Sequence, residues 1–361
     1  MLRSIQEMKF FLRTAFGDSS EFAGAQLEVK TQGLCQGNGA APAGWAVVSI
    51  AILNAHKRRG HGAQFCCPIS LIRSNLSAVL YVDDTDVIHI RMDAEESVME
   101  AYYGLQESVM SWGKLLIATG GSLKPSKCFY HLISFSWKPD GSWVYDMNEE
   151  NEDLQVMIPL PDGTAAPIEH CGVDIPHKTL GAMTCPNGDH SPAVSAMKER
   201  AQGWIDRAVS GKLDRRSFWF LTTCQFWPKM GFGIGLNTAP YSVLAECLMK
   251  QYYELVPLGG IRRSANRMVR QLDGGFYGVG CPHPAVECLA VQATTLLTHY
   301  GCETAGGRLL QVSLELLILE LGMSSQPFEV DFLRHGTWVT ASWLKSLWEK
   351  AFIFGIQFEE G

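Results

Sequence analysis

Two runs of β-forming residues on either side of an aspartate pair constrain the fold more than any other part of this sequence. Residues 77–82 (SAVLYV) and 85–90 (TDVIHI) are rich in branched and aromatic side chains, and only Asp83 and Asp84 separate them. Two such runs joined by two residues predict a β-hairpin with a tight turn. The sequence therefore predicts a hairpin that carries two adjacent carboxylates at its tip.

A turn that only reversed the chain would favour Asn-Gly or Asp-Gly, which tolerate the backbone angles of tight hairpins. Neighbouring carboxylates repel one another unless a cation compensates their charge. Asp83 and Asp84 are therefore predicted to bind Mg²⁺ or Mn²⁺, with two ions if the site is complete. Asp86 lies two residues further on, and we interpret it as a paired surface acid or an accessory carboxylate. A solvated turn is the alternative interpretation.

Three further segments accompany this hairpin along the chain. A glycine-rich loop at 33–39 (GLCQGNG) leads into a helix predicted over 42–56, where proline occupies the first turn. A helix predicted over 94–119 ends at two glycines and is followed by 121–128 (GSLKPSKC). The segment 179–182 (TLGA) then predicts another tight turn.

In this order the four segments resemble the motifs of reverse transcriptases, and they are most similar to those of eukaryotic retroelements. The resemblance covers roughly residues 30–190. It implies an RNA-directed DNA polymerase that acts on an RNA template, a DNA primer and deoxynucleotides. The implied roles are nucleotide or template binding by Gln36, Gly37, Asn38 and Tyr81, metal binding and catalysis by Asp83 and Asp84, general-acid catalysis by Lys127, and a primer grip at Leu180 and Gly181.

The family also needs a third carboxylate, from a strand before the glycine-rich loop and followed by an aromatic residue. Glu7 is the only acid far enough upstream, and Asp18 lies in a Gly-Asp-Ser-Ser turn rather than on a strand. Neither matches the pattern. We therefore expect that the first catalytic strand precedes Met1 and that this chain alone does not polymerise nucleotides.

The predicted elements indicate an α+β fold. A partial polymerase palm, an antiparallel sheet with flanking helices, is predicted over residues 1–190. The stretch 146–174 is acidic and contains no lysine or arginine, so we interpret about 140–177 as an exposed insertion with one strand at 154–158. Long helical patterns dominate 191–361, which predicts a mostly helical, thumb-like or connection region. Its predicted helices are 192–211, 214–227, 240–255, 261–272, 283–301 and 304–321.

The formal net charge is −7, so phosphate contacts would have to come from local basic clusters. One cluster falls within the predicted helix 261–272 and has no acid between its arginines. Its members are Arg262, Arg263, Arg267 and Arg270. A second cluster comprises Lys198, Arg200, Arg207, Lys212, Arg215 and Arg216. Both clusters are candidates for contacts with nucleic-acid phosphates, and solvated helix faces are the alternative.

Cysteine usage and hydropathy bear on location. The chain has 11 cysteines and no CxxC pair, which indicates a reduced intracellular protein, in the nucleus or the cytoplasm. The longest apolar run, 40–55, is interrupted and is shorter than the ~20 residues of a membrane span. No membrane partner is therefore expected, and the sequence leaves the oligomeric state open.

Three functional hypotheses follow from these patterns. The chain can be an inactive fragment of a retroelement reverse transcriptase. It can be a domesticated, non-catalytic module that binds nucleic acid or protein. It can also be a polymerase of related palm fold, such as an RNA-dependent RNA polymerase.

Overall fold

A computed structural model describes residues 9–24, 41–90, 98–146, 154–272, 274–276, 278–324 and 326–358. Over these residues the protein is mixed α+β, with helices predominating and strands paired two at a time. The predicted fold class is confirmed at this level. Within the same residues, no helix combines the length and apolar character that a membrane crossing requires.

The α-helices follow one another along the chain as follows. They are α1 (Ala41–Arg58), α2 (Val98–Ala118), α3 (Ser191–Ser210), α4 (Arg215–Leu221), α5 (Trp227–Gly231), α6 (Tyr241–Glu246), α7 (Met249–Leu258), α8 (Arg267–Gln271), α9 (Pro284–His299), α10 (Ala305–Leu321), α11 (Phe332–His335) and α12 (Trp343–Phe354). Short 3-10 turns lie at Pro125–Lys127, Ile234–Leu236, Gly274–Phe276, Pro327–Glu329 and Gly336–Trp338.

The strands are short, and most belong to hairpins closed by their own turns. They are β1 (Lys9–Thr14), β2 (Gly17–Gly24), β3 (Ala63–Cys66), β4 (Arg73–Leu76), β5 (Ala78–Tyr81), β6 (Asp84–Val87), β7 (Phe129–Tyr130), β8 (Ser134–Trp137), β9 (Trp143–Asp146), β10 (Met157–Pro159), β11 (Ala165–Pro167), β12 (Glu169–His170), β13 (His177–Thr179) and β14 (Ala182–Thr184). Antiparallel pairs are β1–β2, β5–β6, β8–β9, β10–β11 and β13–β14, whereas β7 and β12 pair in parallel.

The chain divides into two compact units that are interleaved in sequence. The first comprises Met1–Gln64, Asn75–Leu132 and Asn148–Cys171, and the second comprises Phe65–Ser74, Ile133–Met147 and Gly172–Gly361. The β5–β6 hairpin belongs to the first unit. The β13–β14 hairpin and the helices from α3 onward belong to the second.

The first unit builds its core where α2 meets the β10 strand. The side-chain amide of Gln106 donates to the Met157 carbonyl at 2.8 Å and accepts from the Met157 N–H at 2.7 Å. Tyr102 donates its hydroxyl to the Gln155 carbonyl at 2.9 Å. Gly113 lets Pro159 approach, since a Cβ there would lie 2.5 Å from the proline ring. These contacts fix the strand against one face of α2.

The acidic stretch was predicted to be an exposed insertion. This holds for residues 161–165, which are exposed, but it is wrong around β10. Val156 and Ile158 are 0% and 1% exposed and pack with Tyr130 and Ile168 in the core of the first unit. Residues 156–160 are all apolar, so the burial of this run outweighs the acidic character of the surrounding sequence. Residues 147–153 lie outside the described residues.

The last turn of helix α1 contains a buried histidine. His56 is fully buried, its Nε2 lies 3.2 Å from the Ser108 hydroxyl, and its ring stacks on His61 at 4.8 Å. Desolvation, together with the smaller effects of the charges on His61, Arg59 and His89, lowers the pKa of His56 from 6.5 to about 4. The folded protein therefore holds this imidazole neutral.

The second unit has two apolar clusters formed by its helices. One gathers residues from α3 to α9, including Trp204, Phe218 and Tyr252, and the other joins α9, α10 and α12 around Trp348. Lys350, on α12, is 0% exposed. Its Nζ donates hydrogen bonds to the Ala239 carbonyl at 3.0 Å and to the Ser346 carbonyl at 3.0 Å. These bonds satisfy an ammonium whose burial would otherwise be costly.

Two predicted helices are interrupted, and one is shortened. The helix predicted over 214–227 is split into α4 and α5 by a π-helical segment at Thr222–Phe226, since Pro228 lacks the N–H that would continue the α pattern. The helix predicted over 240–255 is divided into α6 and α7. The third, predicted over 261–272, spans only Arg267–Gln271, where Asn266 caps its first turn by accepting from the Met268 N–H at 2.8 Å.

The depressed pKa of His56 predicts an acid-sensitive fold. Between pH 6.5 and about 4 the unfolded chain protonates this imidazole and the folded chain does not, so the unfolding free energy falls as the pH drops through this window. The wild type should lose up to about 3 kcal/mol, and His56→Gln should flatten the slope. Urea unfolding at several pH values measures both.

His299→Gln provides the matched control, because His299 is exposed on α9. This variant should keep the wild-type slope. An unchanged slope in His56→Gln would contradict the assignment of the acid sensitivity to His56.

Candidate active site

The β5–β6 hairpin carries the aspartate pair, but its turn lies one residue earlier than predicted. Tyr81 pairs with Asp84 and Leu80 with Thr85, so the turn residues are Val82 and Asp83. The predicted turn at Asp83-Asp84 is therefore wrong by one residue. The β-branched and aromatic content predicted the hairpin, whereas the backbone angles of Val82, which the sequence does not show, determined its register.

Val82 has a positive φ of 55°, in the left-handed region. A two-residue hairpin turn with φ > 0 at its first position favours glycine there, because the left-handed conformation brings Cβ close to the carbonyl oxygen. A β-branched residue in this region is a genuine outlier. The Nε1–H of Trp45, on α1, donates to the Val82 carbonyl and ties the turn to that helix. The strained turn is thus held by a contact from outside the hairpin.

The register places the carboxylates differently from the predicted pair. Asp83 lies in the turn, whereas Asp84 and Asp86 are two residues apart on β6 and point to the same face. Desolvation raises the pKa of the Asp86 carboxyl, the charge of Asp84 raises it further, and His131 opposes both. No ion pair forms at Asp86 among the described residues.

Asp86, which the sequence offered as an accessory carboxylate, is the third carboxylate of this hairpin and lies on the same face of β6 as Asp84. Among the residues that the structure describes, no group of three acidic, histidine or cysteine side chains is close enough to hold a metal ion. Asp83, Asp84 and Asp86 thus place three carboxylates on one hairpin without bringing them together at one point.

Among the other residues predicted for the nucleotide site, the structure describes Tyr81 and Lys127. Tyr81 is exposed at the end of β5. Lys127 is exposed at the end of a 3-10 turn, and no polar contact joins it to the aspartates in the described part of the chain. Gln36, Gly37 and Asn38 lie outside the described residues. Their predicted roles stay predictions.

Leu180 and Gly181 form the turn of the β13–β14 hairpin, as the sequence predicted. Both have positive φ, 49° and 87°, which is the pattern of a type I′ turn. A Cβ on Gly181 would lie 2.8 Å from the Phe232 ring, so glycine permits this contact as well as the turn. The hairpin is confirmed, and its use as a primer grip stays a prediction.

The four candidate phosphate-binding arginines do not form one stripe. Arg270 is 2% exposed, and its guanidinium lies 4.2 Å from the centroid of the Tyr253 ring. Arg267 pairs with Glu246 at 2.7 Å. Arg262 and Arg263 are exposed and precede the short helix α8. The prediction that the four arginines form one continuous surface is wrong, because α8 begins later than predicted and Arg270, its last arginine, is buried.

Comparisons with known proteins add no relative to this description. No protein-family model, no curated protein and no solved structure gives a significant match to the chain. The functional argument therefore rests on the residues and their geometry.

Relief of the strain at Val82 provides a stability test. Val82→Asn should raise the free energy of unfolding by roughly 1 kcal/mol, since asparagine tolerates the left-handed region and Val82 buries little surface. Urea unfolding followed by tryptophan fluorescence measures the change. Val79→Asn, at a regular position of β5, should lower the free energy instead. A loss of stability in Val82→Asn as large as that in Val79→Asn would contradict the strained turn.

Proposed function

We propose that this chain is related to reverse transcriptases and that its β5–β6 turn binds divalent metal as a non-catalytic descendant of their nucleotidyl-transfer site. The observation that carries the proposal is the left-handed conformation of Val82 between Tyr81 and Asp83. Backbone strain at a β-branched residue persists where the surrounding structure fixes it, and such sites cluster in active sites. This strain coincides with the four residues that resemble the catalytic turn of the family.

The proposed roles follow from the placement of each side chain. Asp83 and Asp84 supply metal ligands at the turn, and Asp86 acts as an accessory carboxylate on the same face as Asp84. Divalent metal would offset the mutual repulsion of these groups, which the raised pKa of Asp86 partly reflects. In this proposal the hairpin and α2 belong to a polymerase palm, and Lys127 occupies the place of the family's general acid.

Metal binding tests the proposal directly. Electron paramagnetic resonance of free Mn²⁺ should report binding by the wild type. Binding should weaken by at least about ten-fold in Asp83→Asn/Asp84→Asn, because two of the hard oxygen ligands lose their charge. The fold should be kept, since both side chains are exposed.

Asp140→Asn serves as the matched control. Asp140 lies in the β8–β9 turn and accepts from the Ser142 N–H at 2.9 Å, a bond that asparagine can also accept. This variant should bind Mn²⁺ like the wild type. Equal losses in the two variants, or binding unaffected by both, would contradict a metal site at the β5–β6 turn.

Primer extension separates an active polymerase from a non-catalytic descendant. We expect no magnesium-dependent extension of a DNA primer on an RNA template, because no carboxylate with the family's upstream pattern accompanies Asp83 and Asp84 in this sequence. Extension that is lost in Asp84→Asn would establish the enzyme and overturn the non-catalytic interpretation. Extension with ribonucleotides only would assign the chain to the RNA polymerases of related fold.

A further inference from the structure

The β8–β9 hairpin of the second unit carries aromatic side chains on one face. Two aromatic pairs oppose each other across its strands, Phe135 with Tyr145 and Trp137 with Trp143. Residues two apart on a strand point to the same side, and so do direct cross-strand partners. The four rings therefore share one face of the hairpin, which we call the aromatic face. The opposite face carries the other, mostly polar strand residues, Ser134, Ser136, Val144 and Asp146.

Three of the four rings pack against one another and tie the hairpin to the second unit. The ring centroids of Phe135 and Trp143 are 5.1 Å apart, those of Phe135 and Tyr145 are 5.2 Å apart, and those of Trp143 and Tyr145 are 5.3 Å apart. The Tyr145 hydroxyl donates to the Pro186 carbonyl at 3.5 Å. These contacts stabilise a two-stranded hairpin that would be marginal by itself.

Trp137 takes no part in this packing. It is 72% exposed, and no ring contact joins it to another aromatic residue in the described part of the chain. An indole ring that stays in water contributes little burial energy to the hairpin. Tryptophan is enriched among the residues that supply most of the binding energy of protein interfaces. Trp137 is therefore the exposed anchor of the aromatic face.

The sequence around the aromatic face is acidic. Residues 133–153 contain one basic residue, Lys138, and six acids, which are Asp140, Asp146, Glu149, Glu150, Glu152 and Asp153. The Ser142 hydroxyl and N–H donate to the Asp140 carboxylate and lower its pKa, so this group is charged at neutral pH. The π face of an aromatic ring is itself electronegative. The charge around Trp137 therefore complements a cationic partner.

The packing of the rings decides which kind of cation fits. A cage for a quaternary ammonium ion surrounds it with rings whose centroids each lie within ~6 Å of the charge. Here three rings already contact one another at 5.1–5.3 Å, so no ion fits between them. A cation can instead lie over the single ring of Trp137. The planar, weakly hydrated guanidinium of arginine stacks on such a ring better than the strongly hydrated ammonium of lysine.

We propose that the aromatic face of the β8–β9 hairpin docks an arginine-bearing peptide segment of a partner protein. One guanidinium stacks on Trp137, and the surrounding carboxylates attract the positive charge of the segment. This docking uses neither the β5–β6 turn nor a metal ion, so it is independent of the proposed function.

Fluorescence polarisation with a short labelled peptide of alternating arginine and serine tests this surface. In an extended peptide the alternate arginines point to the same side. The full chain is titrated in EDTA at low salt. Trp137→Ala should weaken binding at least about five-fold, because it removes both the cation–π contact and the interface anchor. Trp137→Phe should bind more tightly than Trp137→Ala, because phenylalanine keeps a ring.

Lys138→Gln provides a variant with the opposite expectation. It removes a like charge next to Trp137 and should tighten binding about two-fold. A hairpin that failed to fold would not bind more tightly, so this result separates recognition from misfolding. Unchanged or weaker binding by Lys138→Gln would overturn the charge complementarity.

Trp338→Ala is the matched control, because Trp338 is also an exposed tryptophan of the second unit and lies outside the hairpin. It should bind the peptide like the wild type. Equal losses in Trp137→Ala and Trp338→Ala would overturn the site. Equal binding of a glutamate–serine peptide would overturn arginine as the recognised group. Self-association that is lost in Trp137→Ala and unaffected by the arginine peptide would assign the face to a second copy of the chain and overturn the partner.

Discussion

The pairing of Tyr81 with Asp84 across a two-residue turn determines which side chains of β6 lie on the same face. Because side chains alternate along a strand, a shift of one residue would move every side chain of β6 to the opposite face. The observed register places Val82 in the left-handed region and sets Asp84 and Asp86 on one face. The arrangement of the carboxylates therefore depends on a conformation that valine adopts only at a cost.

That cost has to be offset by the surrounding structure. The Nε1–H of Trp45 reaches the Val82 carbonyl from α1, the helix whose last turn contains the buried His56. His56 in turn lies against Ser108 of α2, the helix whose Gln106 holds the β10 strand. The strained turn is thus connected to the core of the first unit through two helices, which gives it a support that the hairpin alone would lack.

Sequence reasoning succeeded where local pattern and local structure agree. The alternation of β-forming residues predicted the hairpin, and Leu180-Gly181 predicted the β13–β14 turn, because both depend on neighbours along the chain. The ranges of α1, α3, α9 and α10 also agree with the predicted helices to within two residues at each end, because apolar periodicity marks them in the sequence. Thr304 caps α10 by accepting from the Gly307 N–H.

It failed where residues distant in sequence decide the outcome. The sequence grouped Arg270 with three other arginines on a predicted helix face, whereas the structure places its guanidinium against the Tyr253 ring. The acidic stretch was interpreted as an exposed insertion, whereas Val156 and Ile158 pack against residues of α2 in the core of the first unit. None of these contacts is visible in a local window of sequence.

The central claim is that the strained β5–β6 turn holds a divalent ion, and paramagnetic relaxation by Mn²⁺ tests it most directly. In a two-dimensional ¹H–¹⁵N spectrum of the full chain, substoichiometric Mn²⁺ should broaden the amide signals of residues 81–86 first. The same broadening should be absent in Asp83→Asn/Asp84→Asn. Broadening that begins at other acidic positions, or that spreads evenly over the protein in both samples, would contradict the account.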